Sequence, residues 1–215
     1  MKMEHNELRI DSLCKSYNGE PVLKNLSLTL APTNNYCLMA PSGTGKTTLF
    51  RILLGLETAD SGQICGLDRL RLAAVFQEDR LLEGFTALEN IRFVTGKRFS
   101  NDELLHIIRR LLPQEALTKP ICEFSGGMKR RTAILRAILA PSDLIIMDEP
   151  FTGLDSETKQ QAIELILEFT KEKTLLFSTH HEEDAALLSA EMIHLNSSKS
   201  LPPVKRVARA SAISL

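Results

Sequence analysis

The chain has 215 residues, 43% of them hydrophobic, and a formal net charge of −1. That length can bury a full core, the charge balance gives no general affinity for polyanions, and no run approaches the roughly 20 apolar residues that span a bilayer. Cys14, Cys37, Cys65 and Cys122 show no paired metal-binding spacing and read as reduced thiols of a reducing compartment.

The first residues, Met1, Lys2, Met3, Glu4 and His5, lack the apolar stretch of a secretory leader, so a cytoplasmic location is expected. Apolar residues around 8–10 and 26–30 predict strands, with Asn18 and Gly19 as the turn of an early hairpin. Tyr17 stands at that turn, either as a hairpin packing residue or as an aromatic ring placed at the mouth of a site. An apolar run ending in Cys37, Leu38 and Met39 predicts a buried strand, and residues 47–54 predict a helix.

Between that strand and helix lie Ala40, Pro41, Ser42, Gly43, Thr44, Gly45, Lys46, Thr47 and Thr48. A phosphate loop needs backbone N–H groups turned inward around an anion, a helix start behind them and a cation within reach. The two glycines permit the tight turn, Lys46 would reach the β- and γ-phosphates, and the Thr47 hydroxyl would sit on Mg²⁺. The pattern asks for glycine where this chain has Ala40; alanine fits at small cost if the backbone there keeps a negative φ.

Residues 72–76 predict another strand, followed by Gln77. Leu88, Ile91 and Phe93, then Leu104, Ile107, Ile108, Leu111 and Leu112, recur at helical spacing and read as the packing face of a helical lobe. Ser125, Gly126 and Gly127 open a helix over 128–139; alone they would be a linker or cap, but at that helix start they present a hydroxyl, bare N–H groups and a positive helix end. The basic run Lys129, Arg130 and Arg131 is too short for a polyanion track and reads as a solvated helix face. The apolar run 144–147 ends in Asp148 and Glu149, whose labour divides naturally: Asp148 holds the Mg²⁺ shell and Glu149 polarises an attacking water. A helix over about 156–171 and a strand over 174–178 lead to His180, and periodicity is lost after 196, where a mildly basic frayed tail is expected. Strands alternating with helices predict a mostly parallel sheet.

Together these segments resemble the ATP-binding cassette family, from about residue 8 to about residue 195. Phe124, Ser125, Gly126, Gly127 and Met128 stand where that family carries its Leu-Ser-Gly-Gly-Gln signature, with Met128 in place of glutamine. The resemblance implies an α/β P-loop NTPase of RecA-like type: a mostly parallel sheet core, a small antiparallel layer and an inserted helical lobe. It implies one ATPase unit with core about 7–79 and 136–195, lobe about 80–135 and tail 196–215. It also implies roles. Gln77 would report on Mg²⁺ and the γ-phosphate, Asp155 would link two sites across a dimer, His180 would hydrogen-bond the γ-phosphate, and Tyr17 would stack on adenine. Ser125, Gly126 and Gly127 would grip ATP bound to a head-to-tail partner, a second copy or a paralogous cassette.

The same resemblance points to the nucleotide-binding subunits of bacterial importers, working under a membrane permease and, through it, a solute-binding protein, with no nucleic-acid partner. The short interval from Lys46 to Gln77, with Phe76, Gln77, Glu78, Asp79, Arg80, Leu81 and Leu82, is similar to the nitrate, sulfonate and taurine group. Such a subunit would lie in the cytoplasm against the inner face of the membrane. Two rivals remain at this point: a soluble cassette ATPase acting on ribosomes or DNA, and a regulatory cassette that binds ATP but scarcely hydrolyses it.

Overall fold

A computed structural model describes residues 7–195; the tail expected from 196 onward lies outside the described residues. The chain opens with a hairpin, β1 (Leu8–Tyr17) and β2 (Glu20–Leu30), paired antiparallel with Leu8 opposite Leu30 and Tyr17 opposite Glu20. The turn has φ 51° at Asn18 and 83° at Gly19, both positive as a two-residue type I′ turn requires. After β3 (Asn35–Met39) and α1 (Lys46–Leu53), β4 (Ser61–Cys65) returns to pair with β1, giving the sheet order β2-β1-β4. The short interval before Gln77 thus contributes a single strand to the antiparallel layer.

The second sheet contains β3 with β5 (Leu72–Val75), β6 (Leu144–Met147), β7 (Thr174–Ser178) and β8 (Glu191–His194), in the order β5-β6-β7-β3-β8 with every pairing parallel. Its central strands read as unbroken apolar runs because both faces are buried. Alternate side chains serve two cores. Ile145, Met147, Leu175 and Phe177 pack with the helices, whereas Leu144, Ile146 and Leu176 pack with the antiparallel layer and α1.

The helices on the first face are α2 (Ala87–Thr95), α3 (Asn101–Arg109), α4 (Gly126–Leu139), α5 (Ser156–Phe169) and α6 (Glu182–Leu187). Helices α2 and α3 each open on a capping box, Thr86 with Glu89 and Ser100 with Glu103, which satisfies N–H groups that a helix start leaves free. Ile91, Leu104, Ile107 and Ile108 are buried, as their spacing predicts.

Two expectations need correction. Phe93 is not a packing residue of the lobe: it is 61% exposed and forms a T-shaped pair with Phe85, with ring centroids 5.3 Å apart. Nor is Lys129–Arg131 a solvated helix face. Arg130 is buried, Lys129 pairs with Glu83 at 2.9 Å, and Arg131 donates to the Leu111 and Gly127 carbonyls. Sequence spacing places a basic residue on a helix; it does not show which loops fold back over it.

Candidate functional site

Parallel strands bring the loops at their carboxyl ends to one edge of the sheet. Leu38 of β3 stands opposite Ser178 of β7, and Met147 of β6 stands opposite Phe177. The loop after β3, the pair Asp148 and Glu149, and the segment Thr179 to His180 therefore meet.

In the first loop, Gly43 and Gly45 have φ 81° and 95°, and Gly45 is the N-cap of α1. A Cβ on Gly45 would stand 2.7 Å from Leu23 Cδ2 and 2.9 Å from Val22 Cγ1, so the hairpin β1–β2 presses on the turn. Thr44 Oγ1 donates to the Pro41 carbonyl at 2.7 Å, closing the loop, and Ser42 lies between them. Lys46 is buried, and its Nζ donates to the carbonyls of Ala40 and Pro41 at 2.5 and 3.3 Å. Ala40 is not among the residues of positive φ, so alanine introduces no left-handed strain there. Thr47 and Thr48 follow on α1.

The acidic pair is wired to α1 and to β7. Thr47 Oγ1 donates to Asp148 Oδ2 at 2.7 Å, and Ser178 Oγ donates to Asp148 Oδ1 at 2.7 Å. The same Ser178 oxygen accepts the Glu149 N–H at 2.9 Å. Glu149 has φ 48°, uncommon for a residue with a side chain, and its Oε1 lies 2.8 Å from His180 Nε2. Sequence reasoning passed over Ser178; the available signal was a hydroxyl directly after the apolar residues Leu175, Leu176 and Phe177 and two residues before His180.

The remaining candidates are held by other contacts. Gln77 follows β5, and its carbonyl accepts a hydrogen bond from Arg130. Ser125 is the N-cap of α4, with its Oγ accepting the Met128 N–H at 3.3 Å, and Gly126 and Gly127 form the first turn behind it. A Cβ on Gly127 would lie 3.6 Å from the Gly153 carbonyl. Asp155 caps α5 through Thr158, and the Thr158 N–H and hydroxyl hold its carboxyl below the usual range. Tyr17 is 40% exposed at the end of β1, with the Lys15 ammonium 5.3 Å from its ring centroid. Lys15 is in turn held by Glu57 at 3.1 Å and Asp60 at 3.3 Å.

A cavity of about 300 Å³ is lined by Glu149, Gly153, Lys159, His180 and Asp184 among others. Neither Lys46 nor Ser125 lines it. Sequence reasoning also missed Asp184, which is fully buried and accepts from the Thr179 hydroxyl while pairing with Lys159.

No cluster of three or more His, Cys, Asp or Glu side chains of metal-binding geometry occurs among the described residues. Thr47 and Asp148 still offer two hard oxygens 2.7 Å apart, the donor type that suits Mg²⁺, which takes few protein ligands and completes its shell with phosphate and water.

The sequence profile of ABC transporters matches residues 23–152. The chain belongs to the ABC transporter family. It is an ATPase cassette of that family, 30% identical over 197 residues to an uncharacterised ABC transporter ATP-binding protein of Haemophilus influenzae, covering 88% of this chain and 82% of the relative. A Nod factor export ATP-binding protein of Rhizobium meliloti is 35% identical over 196 residues, 83% of this chain and 58% of its own. A taurine import ATP-binding protein of Pseudomonas aeruginosa is 30% identical over 202 residues, 87% of this chain and 75% of its own. This chain thus spans little more than half of the Nod factor relative.

Among solved structures, a bacterial ABC transporter cassette determined as a dimer superposes with a TM-score of 0.76 at 24% identity, covering 87% of this chain and 93% of that one. The P-loop NTPase fold expected of the cassette, with its small antiparallel layer and its helices, is the fold observed. Relatives named for export and for import both appear, so the importer subgroup is not singled out. No helix among the described residues is long and apolar enough to cross a membrane.

Proposed function

We propose that this cassette binds MgATP at the Lys46 loop and hydrolyses it to drive a membrane permease, as one half of a head-to-tail dimer. The observation that carries the reading is the unbroken chain of contacts Thr47, Asp148, Ser178, Glu149 and His180, which ties the phosphate loop to a carboxylate and imidazole at hydrogen-bond distance.

In this reading, inward N–H groups of residues 41–48 cradle the phosphates, and Lys46 leaves the loop carbonyls for the β- and γ-oxygens. Thr47 and Asp148, and Gln77 as a third ligand, would hold Mg²⁺, which would supply charge neutralisation on the phosphate oxygens. Glu149 orients and polarises the water that attacks the γ-phosphorus, while the His180 N–H, facing the Glu149 carboxylate without nucleotide, turns to donate to the γ-phosphate. Ser125, Gly126 and Gly127 of one copy close on ATP held by the other, Asp155 links the two sites, and Tyr17 takes the adenine face. Hydrolysis reopens the dimer, which moves the permease.

The permease contact is assigned to 80–90 together with Phe93, because Leu82, Phe85 and Phe93 are 47%, 42% and 61% exposed and the rings of Phe85 and Phe93 meet. We assign import, with a solute-binding protein outside the membrane, on the wording of residues 76–82 and the taurine import relative. Export is the second reading, favoured by the Nod factor relative. The test is to tag the chain in its native cells, solubilise the membranes gently and identify what co-purifies. A polytopic membrane protein with a solute-binding protein supports import, and the same without one favours export. Ribosomal or DNA-repair proteins in place of a permease overturn the transport reading.

A further inference from the structure

Ser125 caps the start of helix α4, and the segment carrying Gln77 is bonded to that helix through Arg130. Arg130 is 7% exposed. Its Nη1 donates to the Phe76 carbonyl at 2.6 Å, its Nη2 donates to the Gln77 carbonyl, and its Nε lies 3.3 Å from Asp79 Oδ1. From the same helix, Arg136 donates to the Arg80 carbonyl at 2.7 Å and the Asp79 carbonyl at 3.4 Å. Four carbonyls of the five residues 76–80 are therefore held by two arginines of one helix. The segment is bent on itself, with Arg80 at φ 45° and its guanidinium 4.0 Å from the Phe76 ring centroid.

We propose that Arg130 is a positioning residue that locks the backbone of Gln77 to the helix opened by Ser125, so that both ends of γ-phosphate recognition move as one body. The proposal rests on the ATP-site reading above. Burying a guanidinium is costly unless its donors are used, and these donors are spent on one short segment rather than spread over the core. An apolar side chain of similar length would fill the volume; it would not fix the segment along its axis. The clasp has a looser side. Asp79 Oδ1 accepts no hydrogen bond and is held by the ion pair alone, and burial pushes the Asp79 carboxyl up. A shift of Gln77 toward nucleotide would then pull α4, and with it Ser125, through the two carbonyl bonds, while the Asp79 contact lengthens first.

The experiment compares the full chain with Arg130→Met, Arg130→Lys and Asp79→Asn. It measures MgATP turnover, nucleotide affinity by a fluorescent ATP analogue, thermal midpoint, and amide hydrogen exchange of 76–82. For Arg130→Met, kcat is expected to fall about tenfold with KM within about twofold, the segment exchanging faster while the rest of the chain does not. Arg130→Lys keeps the ion pair and recovers part of kcat; Asp79→Asn keeps the carbonyl bonds and falls between Arg130→Lys and wild type. Unchanged exchange with wild-type kcat in Arg130→Met overturns the proposal. So does a joint collapse of kcat, affinity and thermal midpoint in all three variants, which would make Arg130 a support of the fold alone. If the wild type neither binds nor hydrolyses ATP, the ATP-site reading fails by itself, and the exchange comparison still decides whether the clasp exists.

Discussion

His180 Nε2 stands 2.8 Å from Glu149 Oε1, so the carboxylate after β6 and the imidazole after β7 share one hydrogen bond across the end of the sheet. Glu149→Gln keeps the volume and the reach of the side chain but removes its basicity. Turnover is expected to fall by about 10²–10⁴, the usual worth of a positioned acid–base group, with nucleotide affinity retained and a closed dimer accumulating in ATP on size exclusion. Wild-type turnover in Glu149→Gln would sink the assignment of Glu149.

Ser178 carries two duties through one oxygen, donating to Asp148 and accepting from the Glu149 N–H. Ser178 is fully buried, so water does not replace a lost partner there. Ser178→Ala is expected to cost about 1–3 kcal/mol of stability for the groups left unpaired and to lower kcat more than affinity, because Glu149 loses the anchor of its left-handed backbone. Thermal melts with steady-state kinetics check this; an unchanged melt with full activity would show that Ser178 positions nothing.

How much of this arrangement the sequence discloses depends on whether a residue's partner is near it in the chain. The strands β6 and β7 are legible because burial on both faces makes each an apolar run, and the loop at 40–48 is legible because glycine, lysine and threonine occupy fixed offsets between a strand and a helix. Ser178 and Arg130 are not legible, since their contacts cross 30 and 53 or 54 positions, and Asp184 is not, since the cation it pairs with, Lys159, stands on another helix. Phe93 misleads for a related reason. Helical spacing gives a stripe, and only the packed lobe shows that Ile91 faces inward while Phe93 faces out.

Gly43 and Gly45 separate strain from collision. Both have positive φ, but a Cβ on Gly43 meets nothing within 4 Å, whereas one on Gly45 is driven into Leu23 and Val22. Gly43→Ala is expected to cost only the left-handed penalty of about 1–2 kcal/mol and to keep nucleotide binding within about tenfold. Gly45→Ala should displace the hairpin or the loop and abolish binding, although both changes add the same methyl group. Equal losses in a fluorescent nucleotide titration would contradict this.

Arg71 grips Asp143 through its backbone N–H and through the Nε and Nη2 of its guanidinium, at 2.8, 2.9 and 2.8 Å, fastening the start of β5 to the start of β6. These hydrogen bonds hold the Asp143 carboxyl at about 2, below its ordinary 3.8. A carboxyl depressed in the folded state contributes its stability fully above the unfolded value and loses it as pH falls toward the folded one. The window is therefore about pH 4 down to about pH 2. The Arg71 side chain is 65% exposed, and solvent screening holds the contribution at neutral pH to about 1 kcal/mol or less. Asp143→Asn should lie below wild type by that amount at pH 7 in urea melts and converge with it as the pH approaches 2. A gap that persists undiminished to pH 2 would show that the contact is held by packing rather than by charge.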